Sequence, residues 1–166
     1  MNLHTAYAVA FLTLFLAVPP STEAGTLADA PFRLTLPSED WHVESHEPVT
    51  FSSNLTRIAY ATNATELRTV VLREQLTGVS DGNLEQLGAN MLSKLTNANV
   101  KVAESKTTFI GLPTHLLVYN MKIGSDTLHT ETILLVVGEA GWTIAAIGPL
   151  GREEDIKHIL RFYSKK

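Results

Sequence analysis

The 166-residue chain contains no cysteine, and this absence excludes several classes of chemistry. Disulfides, thiol catalysis, Cys-ligated zinc, iron–sulfur clusters and anchoring through a lipidated cysteine all require the missing residue. Positive charge is also scarce, because 13 lysines and arginines stand against 17 acidic residues and give a net charge of −4. Phosphate backbones are bound through basic surfaces, so the composition predicts no nucleic-acid partner.

Motifs of nucleotide chemistry are missing as well. The sequence has neither G-x-G-x-x-G nor a phosphate-binding P-loop, so we expect no bound cofactor. The serines that neighbour glycines, Ser80 and Ser125, lie in predicted turns with no base beside them. A small secreted hydrolase would need His115 or His158 to meet a nucleophile through folding. We therefore predict that the protein is not an enzyme and keep the hydrolase as an alternative.

The chain begins with the pattern of a secretory signal peptide. The apolar run Ala6–Val18 is too short to span a bilayer, which needs about 20 helical residues. Two prolines end the run, and Thr22-Glu23-Ala24 places small residues on both sides of a polar one. Residues 1–24 are thus predicted to be removed, leaving 25–166 as one secreted or periplasmic domain without a stable membrane span. An uncleaved amphipathic anchor is the alternative.

The spacing of apolar residues along the rest of the chain switches between that of strands and that of helices. Alternating apolar residues predict strands at Thr114–Ile123, Thr127–Val137 and Trp142–Ile147, joined by short turns as in an antiparallel meander. Leu84–Leu95 and Arg152–Lys166 instead carry apolar residues at helical spacing. Strands, a helix, strands and a helix indicate an α+β fold with an antiparallel sheet. The residues expected in the packed core are Leu87, Met91, Leu117, Leu134, Ile144 and Ile159.

Four segments resemble the PsbP-like superfamily, which includes PsbP, the DcrB-like proteins and related domains. They are "FRLTLPSEDW" (Phe32–Trp41), "GNLEQL" (Gly82–Leu87), "FIGLPTHLLVY" (Phe109–Tyr119) and "GEAGWTIAAI" (Gly138–Ile147). The resemblance implies a central antiparallel sheet flanked by helices, an α/β/α sandwich. It also implies an assembly, stabilising or binding module. DcrB-like members are often lipoproteins, and this chain lacks the cysteine that would carry such an anchor.

Metal-type side chains are densest at His42, Glu44 and His46, which share one face of a predicted strand. Neighbouring members could chelate a divalent ion, but residues four apart on a strand are separated by about 13–14 Å. A complete site would need further ligands, and His129 with Glu131 forms another same-face pair. The alternative interpretation is a polar strand face exposed to solvent.

These observations predict a non-catalytic, exported binding or assembly module that supports another cell-envelope component. Its partner would be an envelope protein or a small ligand. A divalent-metal-binding secreted protein using His42, Glu44 and His46 is the alternative. The surfaces that combine turns, polar groups and an aromatic residue are Pro37–Trp41, His42–Glu47 and Gly111–Pro113.

Overall fold

A computed structural model describes residues 29–36, 40–45, 49–50, 54–76, 84–97 and 100–166. The predicted signal peptide, residues 1–24, lies outside these ranges, so its cleavage stays a prediction.

An antiparallel sheet forms the centre of the domain. Its strands follow the order β2-β4-β5-β9-β8-β7-β6, and the short β3 pairs with β4 beside β2. The predicted meander of three strands is β7, β8 and β9, which are neighbours in the sheet. The strands are β1 (Phe32–Leu34), β2 (Trp41–Ser45), β3 (Val49–Thr50), β4 (Leu55–Asn63), β5 (Arg68–Gln75), β6 (Val102–Phe109), β7 (Leu112–Ile123), β8 (Asp126–Val137), β9 (Ala140–Pro149) and β10 (Tyr163–Lys165).

The two predicted helices are present, but the second is shorter than its sequence pattern suggests. Helix α1 spans Leu84–Asn97, and helix α2 spans Glu153–Ile159 and continues into a 3₁₀ turn. At Tyr163 the backbone becomes extended and starts β10, so the expectation of a helix to Lys166 is wrong. The reason is long-range packing: the Tyr163 hydroxyl lies 2.6 Å from the Thr69 hydroxyl.

Apolar side chains cover the sheet on both faces. On the first, called the α1 face, helix α1 packs through Leu87, Met91 and Leu95. The second, called the α2 face, packs against helix α2, its 3₁₀ turn and the two-stranded sheet β1–β10. The predicted core residues Leu87, Met91, Leu117, Leu134, Ile144 and Ile159 are all buried.

The expected α/β/α sandwich is therefore only partly confirmed. Helix α1 covers its face as expected, whereas two turns of helix cannot cover the other. Aromatic rings complete that layer: Phe32 of β1 meets Trp142 and Tyr163 edge-on, with centroids 5.6 Å apart in both pairs. Trp41 likewise packs edge-on against Phe162 at 5.3 Å. Both tryptophans are thus core residues.

Candidate functional site

The predicted metal face is described only in part. His42 is exposed on β2, with buried Trp41 and Val43 on either side of it in sequence. The side chain of Glu44 and all of His46 lie outside the described residues. The pairing of β2 with β4 also shifts register between Val43 and Ser45, so regular alternation does not continue past this point. Metal binding by His42, Glu44 and His46 stays a prediction.

His115 connects the sheet to helix α1. It is buried on β7, and its Nδ1 lies 2.6 Å from Oε1 of Glu104 on β6. The ring also packs against Gly88 of α1, where a Cβ atom would lie only 2.9 Å from the same Nδ1. A second link, between Lys106 and Glu85, joins β6 to the start of the helix at 2.8 Å. His115 is therefore enclosed by its own fold and serves packing.

His129 and Glu131 form a buried polar pair on the α2 face of β8. They are 8% and 3% exposed, respectively. Nδ1 of His129 lies 2.9 Å from Oδ1 of Asn120, an acceptor, so Nδ1 carries the proton in this contact. The other ring nitrogen, Nε2, lies 3.7 Å from Oε1 of Glu131. Neither of these two atoms has a hydrogen-bond partner among the described residues.

Burial raises the pKa of the Glu131 carboxyl, and the nearby charges of Lys157 and His129 oppose this increase. The 3.7 Å between His129 Nε2 and Glu131 Oε1 is too long for a direct hydrogen bond. The described residues contain no group of three or more His, Asp or Glu side chains that could hold a metal ion. The pair thus supplies no complete set of metal ligands among the described residues.

A groove of about 430 Å³ opens on the α2 face where β5, β8 and β9 end near each other. Arg73 lies in it, with its guanidinium 6.0 Å from the centre of the Trp142 ring and Nη2 donating to Gln75 at 3.0 Å. Its Nε is buried without a hydrogen-bond partner among the described residues. We call this the Arg73 groove; its other lining residues are Asp29, Val137, Glu139 and Ala140.

A second, wider groove of about 750 Å³ lies at the opposite end of the β8–β9 hairpin. Its walls include Arg68, Asp126 and Leu150. Among the described residues, the large apolar side chains that are exposed are Leu150 and Val137. One belongs to each groove, so the exposed apolar surface coincides with the two depressions.

Sequence reasoning missed Arg73, although a signal for it was present. In the apolar run of β5, Arg73 is two residues after the buried Val71 and therefore points to the same covered face. Ser80 was likewise treated as a turn residue, yet Gly78-Val79-Ser80-Asp81-Gly82 has the spacing G-x-S-x-G. This pentapeptide follows β5 and precedes α1 in the chain, and it lies outside the described residues.

Neither helix in the described part of the chain has the length and apolar character that a bilayer crossing requires.

Comparison with known proteins finds no matching family model and no matching curated protein. The solution structure of cyanobacterial PsbP (CyanoP) from Synechocystis sp. PCC 6803 does match, with a TM-score of 0.59 and 10% identity. The match covers 92% of this chain and 99% of the cyanobacterial one. The fold is PsbP-like.

Two further solved structures resemble this PsbP-like chain more weakly. LpqN of Mycobacterium tuberculosis, described as involved in cell envelope biogenesis, has a TM-score of 0.42 and 11% identity over 90% of this chain and 86% of LpqN. A protein of unknown function from Pseudomonas aeruginosa, PA94, has a TM-score of 0.46 and 11% identity over 60% of this chain and 74% of that one. The PsbP-like assignment depends on the cyanobacterial structure.

Two of the segments that carried the resemblance contain turns of the central sheet. Phe109–Tyr119 contains the tight turn between β6 and β7, and Gly138–Ile147 contains the turn between β8 and β9. The second segment also supplies Glu139, Ala140 and Trp142 to the Arg73 groove. One stretch of sequence thus forms both a central hairpin and part of the candidate site.

Proposed function

We propose that this PsbP-like chain is a non-catalytic, exported binding or assembly module that supports another component of the cell envelope. Its partner docks in the Arg73 groove. The observation that carries the proposal is Arg73 itself, a cation that lines an accessible groove beside Trp142 and Gln75.

The groove lining indicates the chemistry of the partner. Trp142 and Gln75 hold the guanidinium in place, so a carboxylate can bind Arg73 with little loss of side-chain freedom. Asp29 and Glu139 make the lining negative overall and would repel a simple anion. We therefore infer an extended protein segment that presents a carboxylate to Arg73 and a basic side chain to Glu139. Val137 offers it an apolar contact.

Two of the positions singled out in the sequence, His42 and Gly111, lie far apart in the sheet. His42 lies on β2, at one edge of the sheet, while Gly111 lies in the turn after β6, at the other edge. Six inter-strand spacings of about 4.8 Å separate the two edge strands. A change at either position tests a different surface, and both serve as comparisons for Arg73.

The decisive experiment compares two arginine variants of the full chain. Envelope extract is passed over the wild-type protein, Arg73→Gln and the matched control Arg161→Gln, which alters an exposed arginine of the 3₁₀ turn. A partner that binds the wild type and the control, and binds Arg73→Gln at least about tenfold more weakly, supports the groove. Equal binding to all three proteins contradicts it. Matching urea midpoints ensure that the comparison reports binding and not folding.

Export is part of the proposal and has its own test. The sequence before residue 25 supports cleavage after Ala24 and a secreted or periplasmic location. N-terminal sequencing of the protein recovered from the cell should begin at Gly25. A protein that still begins at Met1 would favour the uncleaved anchor.

Two alternative functions are each supported by a specific observation. Exposed His42 is available to a divalent ion, and titration calorimetry with Zn²⁺ or Cu²⁺ on wild type and His42→Ala tests the alternative of a metal-binding protein.

The G-x-S-x-G spacing around Ser80 favours the small secreted hydrolase, since this motif places a nucleophilic serine between a strand and a helix. A serine-reactive fluorophosphonate should label the wild type and not Ser80→Ala if the hydrolase alternative is right. Absence of labelling favours the binding module.

A further inference from the structure

Strand β6 has an open edge. It pairs along its whole length with β7 and, within the described residues, with no strand on its other side. The side chains of residues 103–108 are all exposed. Unpaired N–H and C=O groups on a strand of this length form a template for another strand, so proteins either block such an edge or use it.

The turn after β6 determines which backbone groups point outward. Ile110 and Gly111 both have positive φ, at 49° and 83°, as in a two-residue type I′ turn. Such a turn closes on a hydrogen-bonded pair, here Phe109 and Leu112. Hydrogen-bonded and non-hydrogen-bonded pairs then alternate along the ladder. The N–H and C=O groups of Ser105 therefore face β7, while those of Glu104 and Lys106 face the open edge.

We propose that a second copy of this chain pairs with β6, antiparallel and two-fold symmetric about Ser105. This register places Glu104 opposite Lys106 of the second copy, and the symmetry forms the same ion pair twice. The register can shift only in steps that keep the outward-facing residues of one copy opposite the outward-facing residues of the other. The nearest shifts place Glu104 opposite Glu104, or Lys106 opposite Lys106, and like charges directly opposite one another are destabilising.

Existing contacts leave both charged groups able to make these pairs. Glu104 uses Oε1 for His115, and a carboxylate has a second oxygen that can accept from Lys106 of the second copy. Lys106 is 71% exposed and has three ammonium donors, of which Glu85 engages one at 2.8 Å. On the opposite face of the strand, Ala103 meets only Thr107 of the second copy, so small side chains line that side of the contact.

This assembly stops at the dimer, because an isologous contact uses the same edge in both copies and leaves no second edge of that kind for a third copy. It is also independent of the proposed function. Arg73 lies on β5, and β9, β8 and β7 separate that strand from β6. Failure of the dimer would leave the Arg73 groove unaffected, and failure of partner capture would leave the dimer unaffected.

Single cysteines give a direct test, since the chain has none of its own. Ser105→Cys puts two thiols at a non-hydrogen-bonded pair on the two-fold axis, where Cα atoms about 4.5 Å apart suit a disulfide. Thr107→Cys is the matched control, because the two copies of residue 107 would be about 13 Å apart along the strand. Under mild oxidation, we expect a covalent dimer from Ser105→Cys alone. Equal cross-linking of both variants, or none, would overturn the proposal.

Charge exchange tests the register independently. In the variant Lys106→Glu, a glutamate lies opposite Glu104 in both symmetric pairs. The two like-charge pairs should raise the dimer dissociation constant, measured by sedimentation, about tenfold. The double variant Glu104→Lys, Lys106→Glu restores opposite charges and should restore the dimer. A monomeric wild type, or a dimer insensitive to Lys106→Glu, would refute this pairing. If the double variant fails to fold without the Glu104–His115 contact, the cysteine pair decides the matter.

Discussion

Gly88→Ala should destabilise the protein, although the same change in most helices is stabilising. Gly88 is buried in α1, and the new Cβ would lie 2.9 Å from Nδ1 of His115 and 3.3 Å from its Cε1. Contacts below 3.0 Å force one group to move. The His115 side chain is 6% exposed and has its Nδ1 2.6 Å from Glu104, so moving the ring disturbs both its packing and this bond.

The size of the effect follows from three contributions. Replacing glycine by alanine in a helix interior gains about 0.5–1 kcal/mol. Overpacking in a buried site costs about 1–3 kcal/mol. Weakening the His115–Glu104 bond costs about 1 kcal/mol more, a low value because the Glu104 side chain is 37% exposed and partly screened. We therefore expect a net loss of about 2 kcal/mol.

Urea unfolding measures this loss, and a second background tests its cause. With His115→Ala the steric contact is gone, so adding Gly88→Ala should become stabilising by about 0.5–1 kcal/mol. Ser93→Ala, at an exposed position of the same helix, is a control in which alanine raises helix propensity without a buried steric contact. The steric explanation is wrong if Gly88→Ala is neutral or stabilising with His115 present. It is also wrong if the change in unfolding free energy caused by Gly88→Ala has the same sign in both backgrounds.

Three further changes test the core, the buried carboxylate and the small sheet. Leu134→Ala removes a fully buried side chain of β8 and should cost about 2–5 kcal/mol in urea unfolding; a loss below about 1 kcal/mol would contradict its central position. The pKa of Glu131 is raised in the folded protein, so the stability this group contributes is present below its ordinary pKa of 4.5 and is lost as the pH rises. Glu131→Gln should therefore stabilise the protein at pH 7 and have a smaller effect as the pH falls to about 4, and a gain independent of pH would be inconsistent with this cause. Tyr163→Phe removes a buried hydroxyl 2.6 Å from that of Thr69 and should cost about 0.5–1.5 kcal/mol, whereas an unchanged midpoint would show that the contact is energetically unimportant.

Local periodicity predicted the elements whose neighbours in sequence are also neighbours in space. Strands β7, β8 and β9 are joined by short turns, so their alternation and turn residues were sufficient to predict the meander. The apolar stripe of α1 likewise predicted the burial of Leu87 and Met91. The prediction of the final helix failed because Tyr163 fits a helical stripe equally well. Its pairing with Leu34 of β1 and its contact with Thr69 across the domain favour an extended backbone.

The candidate site was harder to predict than the fold. The sequence indicated that His129 and Glu131 share a face, but their burial depends on α2, which follows them in the chain by more than 20 residues. Arg73 becomes distinctive only when Trp142 is brought beside it by the pairing of β5 with β9. Spacing along a strand gives the direction of a side chain, whereas the groove around it depends on residues distant in sequence.

The pairing of β1 with β10 has a consequence for the order of folding. Phe32 is in register with Lys165, so the first and last strands of the described chain are partners. Such a contact closes a very long loop, and the loop is shortened once the intervening sheet has formed. We expect β7, β8 and β9, joined by short turns, to organise early and the β1–β10 pair to form last. Because Trp142 packs against Phe32, its fluorescence would report this final step.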